Sequence, residues 1–455
     1  MGKKYDFDYI ILGSGPAGST AALNLAKAKK RVALVEEHRF GGANINTRDI
    51  PYSVALGFAH AYADTSSYPE FKNQDLHFSL PTIVNHQLHT ISDVAKHSKS
   101  TLEKAGVTYL EGHAHFLDHH TIAFGKNQLT ARFFIIATGS MLKVSEITGA
   151  DTVSYLTPDT AFRIRRLPKV VLIVGGGSTG CEIASFYASL GTKVIIMETC
   201  DRLLPREDKE VSDAITNYFT KKFGAMVLPN CKVVAIEKDG ASRRVIFQTN
   251  RSEKMVRVDC LVLATGSQPN LDLGLENAGI KYKNSGISVD KYFQTSAKNI
   301  YAIGDCIGGD SSTTRSDYEG SLLVANLVNK TKNPANYKGF LRVTQTYPQV
   351  ATVGHNEFDL LRRDRKYQKS FVKLSDLTAN FIHPVEDGFI KLLADRNSHI
   401  IGACIVAPDA ELIAAEISLA IRHNLTALEL GSTPYSANNW TYGIKLAAKQ
   451  LVKKH

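Results

Sequence analysis

Short apolar runs closed by glycine turns alternate along the chain with longer stretches of mixed polarity. Tyr9-Ile10-Ile11-Leu12 enters Gly13, a helix-like stretch follows over 19–29, and a second run, Val32-Ala33-Leu34-Val35, ends in Glu36. The phrase returns as Val170-Val171-Leu172-Ile173-Val174, a helix-like stretch ending at Leu190, and Val194-Ile195-Ile196-Met197 ending in Glu198. Continuous apolar runs of this length, bounded by turns, read as strands buried on both faces, as in a parallel sheet. Strand, helix and strand, twice over, predict two βαβ units. Two shorter phrases, Ile135-Ile136-Ala137-Thr138-Gly139-Ser140 and Leu263-Ala264-Thr265-Gly266-Ser267, are each a strand entering a glycine turn, and Ile300-Tyr301-Ala302-Ile303 leads to Gly304-Asp305. From about Tyr337 the character changes. Strand-like runs over 389–393 and 400–403 precede an amphipathic helix predicted over 410–422, the pattern of a separate α+β domain.

Composition narrows the class without naming it. The 455 residues correspond to two to four domains at roughly 100–200 residues each. With 44% hydrophobic and 22% charged residues the chain is an ordinary globular one, not a disordered, collagenous or coiled-coil one. Runs such as Val170–Val174 fall far short of the ~20 apolar residues a membrane span needs. Lys and Arg exceed Asp and Glu by 10, dispersed along the chain with no basic block, so nucleic acid is not an expected partner. Anionic small molecules or an anionic surface suit so modest an excess better, and a generally basic proteome explains it most simply. The six cysteines are scattered and form no C-x-x-C, the usage of reduced, mostly buried thiols. Met1-Gly2-Lys3-Lys4-Tyr5-Asp6 leads through acidic residues into a strand, so the expectation is no cleavable leader and a cytoplasmic location.

Candidate chemistry centres on the two glycine-rich loops, Gly13-Ser14-Gly15-Pro16-Ala17-Gly18 and Gly175-Gly176-Gly177-Ser178-Thr179-Gly180. The alternative, two Gly turns without ligand, fits poorly, because each loop follows a strand, opens a helix and is answered by an acid at the end of the next strand. The first glycine makes the turn, the second lets a pyrophosphate approach the backbone, and the third packs helix on strand. The free N–H groups at the helix start favour the anion. Glu36 and Glu198 are each expected to accept hydrogen bonds from a ribose, so the chain is expected to bind two dinucleotides. A carboxylate at Glu198 repels a 2′-phosphate and favours NADH, while Arg202, four residues on, keeps NADPH open. Asp305, on its glycine turn, is placed to bind a polyol hydroxyl. The histidines His113, His115, His119 and His120 match no zinc spacing and read as solvated residues of a hairpin, so no metal is expected.

Taken together, these motifs resemble the class I pyridine nucleotide–disulfide oxidoreductases over nearly the whole chain. The resemblance implies an α/β fold of two Rossmann-like dinucleotide-binding domains plus a C-terminal α+β dimerisation domain. It implies an FAD-binding domain over 1–150, an NAD(P)H-binding domain over 151–269, a return to the FAD-binding part over 270–336, and a dimerisation domain over 337–455. FAD would be held by Gly13, Gly15, Pro16, Ala17, Gly18, Glu36, Glu37, Gly42, Ala43, Ala114, Ala137, Thr138, Gly139, Gly304 and Asp305. NAD(P)H would be held by Gly175, Gly177, Ser178, Thr179, Gly180, Glu182, Glu198 and Gly266, and the protein would be a homodimer.

The resemblance breaks at the redox motif. The family reads Gly-Gly-Thr-Cys-x-Asn-x-Gly-Cys-Ile-Pro-Ser-Lys, and this chain reads Gly41-Gly42-Ala43-Asn44-Ile45-Asn46-Thr47-Arg48-Asp49-Ile50-Pro51-Tyr52-Ser53. Asn44 and Asp49 replace both cysteines, and neither can form a thiolate. The family's C-terminal His-Pro-Thr-x-x-Glu is Thr433-Pro434-Tyr435-Ser436-Ala437-Asn438, so its acid–base pair is absent too. Ser53 replaces the lysine that partners the family glutamate, here Glu182, which is expected to raise that carboxyl's pKa if it is buried. Ser178 replaces the tyrosine that often covers the nicotinamide face of the flavin.

The activity these departures imply is an FAD-dependent NADH reductase that passes electrons directly to a quinone-like or other small acceptor. Soluble NAD(P) transhydrogenase, and a non-catalytic or redox-sensing flavoprotein, are the alternatives. The catalytic candidates are Asp49, Asn44 and Glu182. Asp49 reads either as a proton donor or electrostatic tuner beside the flavin or as a solvated helix-start residue. The basic, amphipathic stretch from Trp440, with Lys445, Lys449, Lys453 and Lys454, reads first as a packed interface helix, and only secondarily as a helix lying on a membrane surface. Trp440 itself reads as interface core rather than a quinone platform.

Overall fold

The structure, a computed structural model, describes residues 5–71, 77–143 and 147–452. The first apolar run forms the strand Phe7–Leu12, in which Ile10 and Ile11 are fully buried because parallel strands flank it on both sides. Tyr9 pairs with Val32 on one side and with Phe133 on the other. The sheet runs Thr108–Glu111, Val32–Glu36, Phe7–Leu12, Asn127–Ile136, with Ile300–Ala302 also parallel to the last strand. The far end of Asn127–Ile136 continues into an antiparallel hairpin sheet with Thr121–Phe124 and Ala114–Asp118. The helix Pro16–Lys27 opens on the proline, whose fixed φ and missing N–H suit a first helical position.

The second βαβ unit repeats this plan. Four parallel strands are ordered Met226–Leu228, Lys193–Met197, Val170–Val174, Cys260–Leu263, with the helix Ser178–Ser189 following the glycine loop. The antiparallel strands Lys232–Asp239, Ser242–Gln248 and Glu253–Val258 form a separate three-stranded sheet. The C-terminal region is a five-stranded antiparallel sheet ordered Leu341–Thr344, Gln349–Gly354, Ile400–Ala407, Phe389–Ala394, Gln368–Lys373. The predicted helix lies at Ala410–Arg422, and its Ile413, Ile417 and Ile421 share a core with Ile390, Leu392 and Ile405.

The helix Tyr442–Leu451 buries its apolar face in that same core through Ile444, Ala447, Ala448 and Leu451, so it is packed within its own chain. Trp440 packs half-buried against it. Lys453 and Lys454 lie outside the described residues. No helix among the described residues is long and apolar enough to cross a membrane.

By its contacts the chain divides into two compact units. One comprises 1–55, 79–144 and 265–336, and the other 56–78, 145–264 and 337–455. The sequence boundaries differ from this in three places. Thr148 bridges to Ala235 and so leaves the FAD-binding segment early. The strand Ser267–Pro269 pairs with Ser140–Leu142 and so leaves the NAD(P)H-binding segment. Residues 56–78 group with the second unit because the Tyr347 hydroxyl donates to Asp64 at 2.8 Å and the Ser185 hydroxyl meets His60 at 3.4 Å.

Candidate functional site

Each nucleotide loop is tied down by a buried carboxylate. Gly13 sits at φ +103°, and a Cβ there would stand 2.3 Å from the Ala137 carbonyl oxygen, so the turn admits only glycine. Glu36 Oε2 accepts from the Ser14 amide at 2.8 Å and from the Ser14 hydroxyl at 2.6 Å, and its Oε1 accepts from the His38 amide at 3.0 Å. Ser14 Oγ in turn accepts from the Gly41 amide at 2.8 Å, which fixes the segment 41–46 to the loop. A Cβ on Gly42 would meet the Gly15 Cα at 3.0 Å, whereas a Cβ on Gly15 would meet nothing within 4 Å. The loop is therefore packed on one side and open on the other. The helix beginning at Pro16 has no side-chain cap, so its first N–H groups face that open side as donors for a diphosphate. This cradle, which any side chain at Gly15 would fill, fits the diphosphate of FAD.

The second loop follows the same rule. Gly175 is at φ +115°, with the Ala264 carbonyl oxygen 2.3 Å from where its Cβ would be. Glu198 Oε2 accepts from the Gly176 amide at 2.6 Å, and Oε1 from the Cys200 amide at 2.8 Å and the Thr199 hydroxyl at 3.0 Å. Burial pushes the Glu198 carboxyl up, but the Cys200 and Gly176 amides and the Thr199 hydroxyl outweigh it and hold the pKa below the usual range. Gly177 has open space where its Cβ would be, as Gly15 does, and the helix it opens also lacks a side-chain cap.

The third glycine turn has its own carboxylate. Fully buried Glu319 accepts from the Gly304 amide at 2.7 Å and pairs with Arg315 at 2.7 Å. Beside it, Asp305 Oδ2 accepts from the Ser140 hydroxyl at 2.9 Å. Asn270 clamps the turn after Ile136, its side-chain amide donating to the Thr138 carbonyl at 2.8 Å while the Thr138 hydroxyl donates to the Asn270 backbone carbonyl at 3.0 Å.

At the positions of the missing cysteines the structure holds a polar triad. Asn44 Nδ2 donates to Asp49 Oδ2 at 2.8 Å and to Thr313 Oγ1 at 3.0 Å, and the Thr313 hydroxyl donates to the same Asp49 oxygen. Asp49 is the exposed first residue of the helix Asp49–Ser67. Thr313 is the first residue of the helix Thr313–Asn329. Fully buried Gln87 donates to the Pro51 carbonyl at 2.7 Å and anchors the start of the Asp49 helix. All six cysteines are free, and the first of them is Cys181.

The other sequence candidates fall as follows. Glu182 accepts from the Gln345 amide at 2.9 Å, and Ser178 shares a 2.5 Å hydrogen bond with Thr344. Ser53, Thr433 and Asn438 are exposed. Ala43 is exposed, Ala114 is buried in the core with Phe116 and Ile122, and Glu37 pairs with His113 at 3.1 Å. Gly266 lies two residues beyond Ala264, whose carbonyl oxygen packs against Gly175. It falls in the first unit, where its carbonyl accepts from the Lys143 amide at 3.0 Å. His120 sits in the hairpin turn between Asp118 and Thr121 and is engaged with the Ala131 carbonyl at 2.9 Å. The one group of possible metal ligands among the described residues, Asp208, Glu210 and Glu357, surrounds the buried Lys391 ammonium at 2.6, 3.0 and 2.8 Å.

Ser14, Glu319, Gln87 and Thr313 are the residues the sequence analysis misses. Ser14 lies inside a quoted motif, but the spacing rule gives its position no role. Gln87 and Thr313 carry no local signal, because each acts on a segment distant in sequence, and Glu319 reads locally only as a helix pair with Arg315.

Residues 7–328 match the pyridine nucleotide-disulphide oxidoreductase family and residues 341–437 its dimerisation domain. The chain belongs to this family of FAD-dependent NAD(P)H oxidoreductases. A mercuric reductase of Bacillus cereus is 28% identical over 449 residues, covering 97% of this chain and 71% of that protein. A dihydrolipoyl dehydrogenase of Buchnera aphidicola is 29% identical over 459 residues, covering 99% and 96%. The fold is also that of the HOCl-induced flavoprotein disulfide reductase RclA of Escherichia coli, with a TM-score of 0.88 at 24% identity over 97% of this chain and 99% of that one. LpdA of Mycobacterium tuberculosis superposes with a TM-score of 0.89 at 23% identity over 98% and 100%.

Proposed function

We propose that this family member is a homodimeric reductase that takes hydride from NADH and passes the electrons to a small, quinone-type acceptor without a redox disulfide. The observation that carries the reading is the Asn44–Asp49–Thr313 triad, which stands where the family motif has its two cysteines. No remaining thiol is suited to replace them, because the thiolate is the reactive form. Burial raises the Cys260 thiol to about 11 and the Cys306 thiol to about 12, and pushes Cys181, Cys404, Cys231 and the exposed Cys200 up as well, Cys200 with help from the Glu198 carboxylate.

FAD, held at the first loop through Gly13, Gly15, Ser14 and Glu36 and at Asp305, supplies hydride and electron chemistry when bound. The protein's part is to hold the nucleotides and set the charge around them. NADH is favoured over NADPH because Glu198, fixed at the loop by the Gly176 and Cys200 amides, is a carboxylate that repels a 2′-phosphate. Arg202, held by Asp201 at 3.5 Å and the Pro205 carbonyl at 3.2 Å, is a nearby cation that would favour NADPH instead. The dimer is supported by Leu412 and Leu419, seven residues apart on the helix Ala410–Arg422 and 72% and 57% exposed.

Anaerobic stopped-flow mixing with NADH and with NADPH, followed by a menadione-type quinone, tests the reading. The expected result is fast flavin bleaching by NADH with no long-wavelength thiolate–flavin band, then fast re-oxidation by the quinone. Bleaching that takes minutes with both nucleotides, or the appearance of that band, would overturn it.

A further inference from the structure

Both donors of the triad reach one oxygen of Asp49. The Asn44 amide lies 2.8 Å from Oδ2, the Thr313 hydroxyl donates to the same atom, and Asn44 also spans to Thr313 at 3.0 Å. Three mutual bonds among three short side chains fix the rotation of the carboxylate. They leave Oδ1 with its lone pairs free on an exposed residue. Both partners of Oδ2 are neutral groups, so they orient the negative charge without cancelling it. The chain as a whole carries a net charge of +10, which draws anions toward the molecule, so this local anion opposes the overall field.

We propose that the Asn44–Asp49–Thr313 triad makes the acceptor site select uncharged or cationic electron acceptors over anionic ones, with Thr313 as the positioning residue for Asp49. The inference rests on the reading that an acceptor takes electrons where the family has its disulfide. The reaction with a neutral quinone balances as NADH, one proton and quinone giving NAD+ and hydroquinone. Two electrons and two protons reach the quinone, and one of those protons comes from solvent. An acceptor bearing its own negative charge meets the uncancelled Asp49 carboxylate at short range and is repelled.

The test compares kcat/KM of the holoenzyme for ferricyanide, a trianion, with that for menadione, a neutral quinone. The proteins are wild type, Asp49→Asn, Thr313→Val and Thr313→Ser. The ferricyanide-to-menadione ratio is expected to rise about tenfold in D49N, the size of a local steering effect. It should rise by a smaller factor in T313V and return to the wild-type value in T313S, which keeps the hydroxyl. The flavin midpoint potential, read at equilibrium against reference dyes, should move upward in D49N, because a fixed anion no longer opposes the gain of electrons. An unchanged ratio and potential in D49N, with turnover intact, overturns the inference while leaving the dithiol-free reading standing. Absence of turnover with either acceptor in the wild-type protein overturns that reading and this inference with it.

Discussion

Three glutamates do the same work in three places: Glu36, Glu198 and Glu319 each accept a backbone amide from a glycine turn. A buried carboxylate is costly unless donors satisfy it, and the turn's amides are those donors, so loop and acid stabilise one another. Glu36 and Glu198 are legible in the sequence because each ends a strand at a fixed distance from its loop. Their hydrogen bonds to the loop amides are not, because the spacing rule describes what the acid does for a ribose. The fate of Asp49 illustrates the same limit. It starts a helix and is exposed, which the sequence reads locally, but the triad in which it stands does not read locally, because its partner Thr313 is 264 residues away. His60 gives a prediction at this scale. Burial lowers its pKa from 6.5 to about 4 beside the Ser185 hydroxyl and the Tyr347 ring. Between those pH values the unfolded chain binds a proton that the native state does not. The stabilising effect is therefore complete above pH 6.5 and is lost as pH falls toward 4, by about 3 kcal/mol. Urea unfolding across that range should show the loss, and His60→Gln should remove that share of the pH slope.

Elements were legible where apolar runs were continuous and opaque where a polar residue broke the stripe. The helix Leu80–Lys104 is absent from the sequence prediction although Leu80, Val84, Gln87 and Ile91 are buried at helical spacing. Gln87 interrupts the apolar pattern because its amide is needed at the Pro51 carbonyl, 2.7 Å away. The helix Thr313–Asn329 is likewise unmarked, and it packs closely on Pro16–Lys27, because Gly320 brings the two backbones together. A Cβ at Gly320 would stand 2.6 Å from the Ala17 carbonyl oxygen. Gly320→Val should push the helices apart and cost about 1–3 kcal/mol, as overpacking does. Because Ala17 lies in the first turn after the diphosphate cradle, the variant should also retain less FAD. Thermal unfolding and the flavin-to-protein absorbance ratio after gel filtration check both effects.

At the scale of the whole molecule, the order of motifs carried the fold, and the loss of residues from one motif carried the functional reading. The two βαβ units and the C-terminal α+β region were legible because each is built from apolar runs and glycine turns that read locally. The division of the chain into its two compact units was not, since residues 56–78 join the second unit through side chains such as Asp64 that meet residues far along the chain. For the assembled protein, light scattering should report a dimer. The double variant Leu412→Glu, Leu419→Glu should shift it toward monomer, because both side chains are exposed on one face of the helix Ala410–Arg422. The central claim is that electrons leave this enzyme without passing through a disulfide, and an anaerobic dithionite titration counts them. Two electron equivalents should fully reduce each FAD, with no further uptake. Four equivalents per FAD, the capacity of a flavin plus a redox disulfide, would contradict the account.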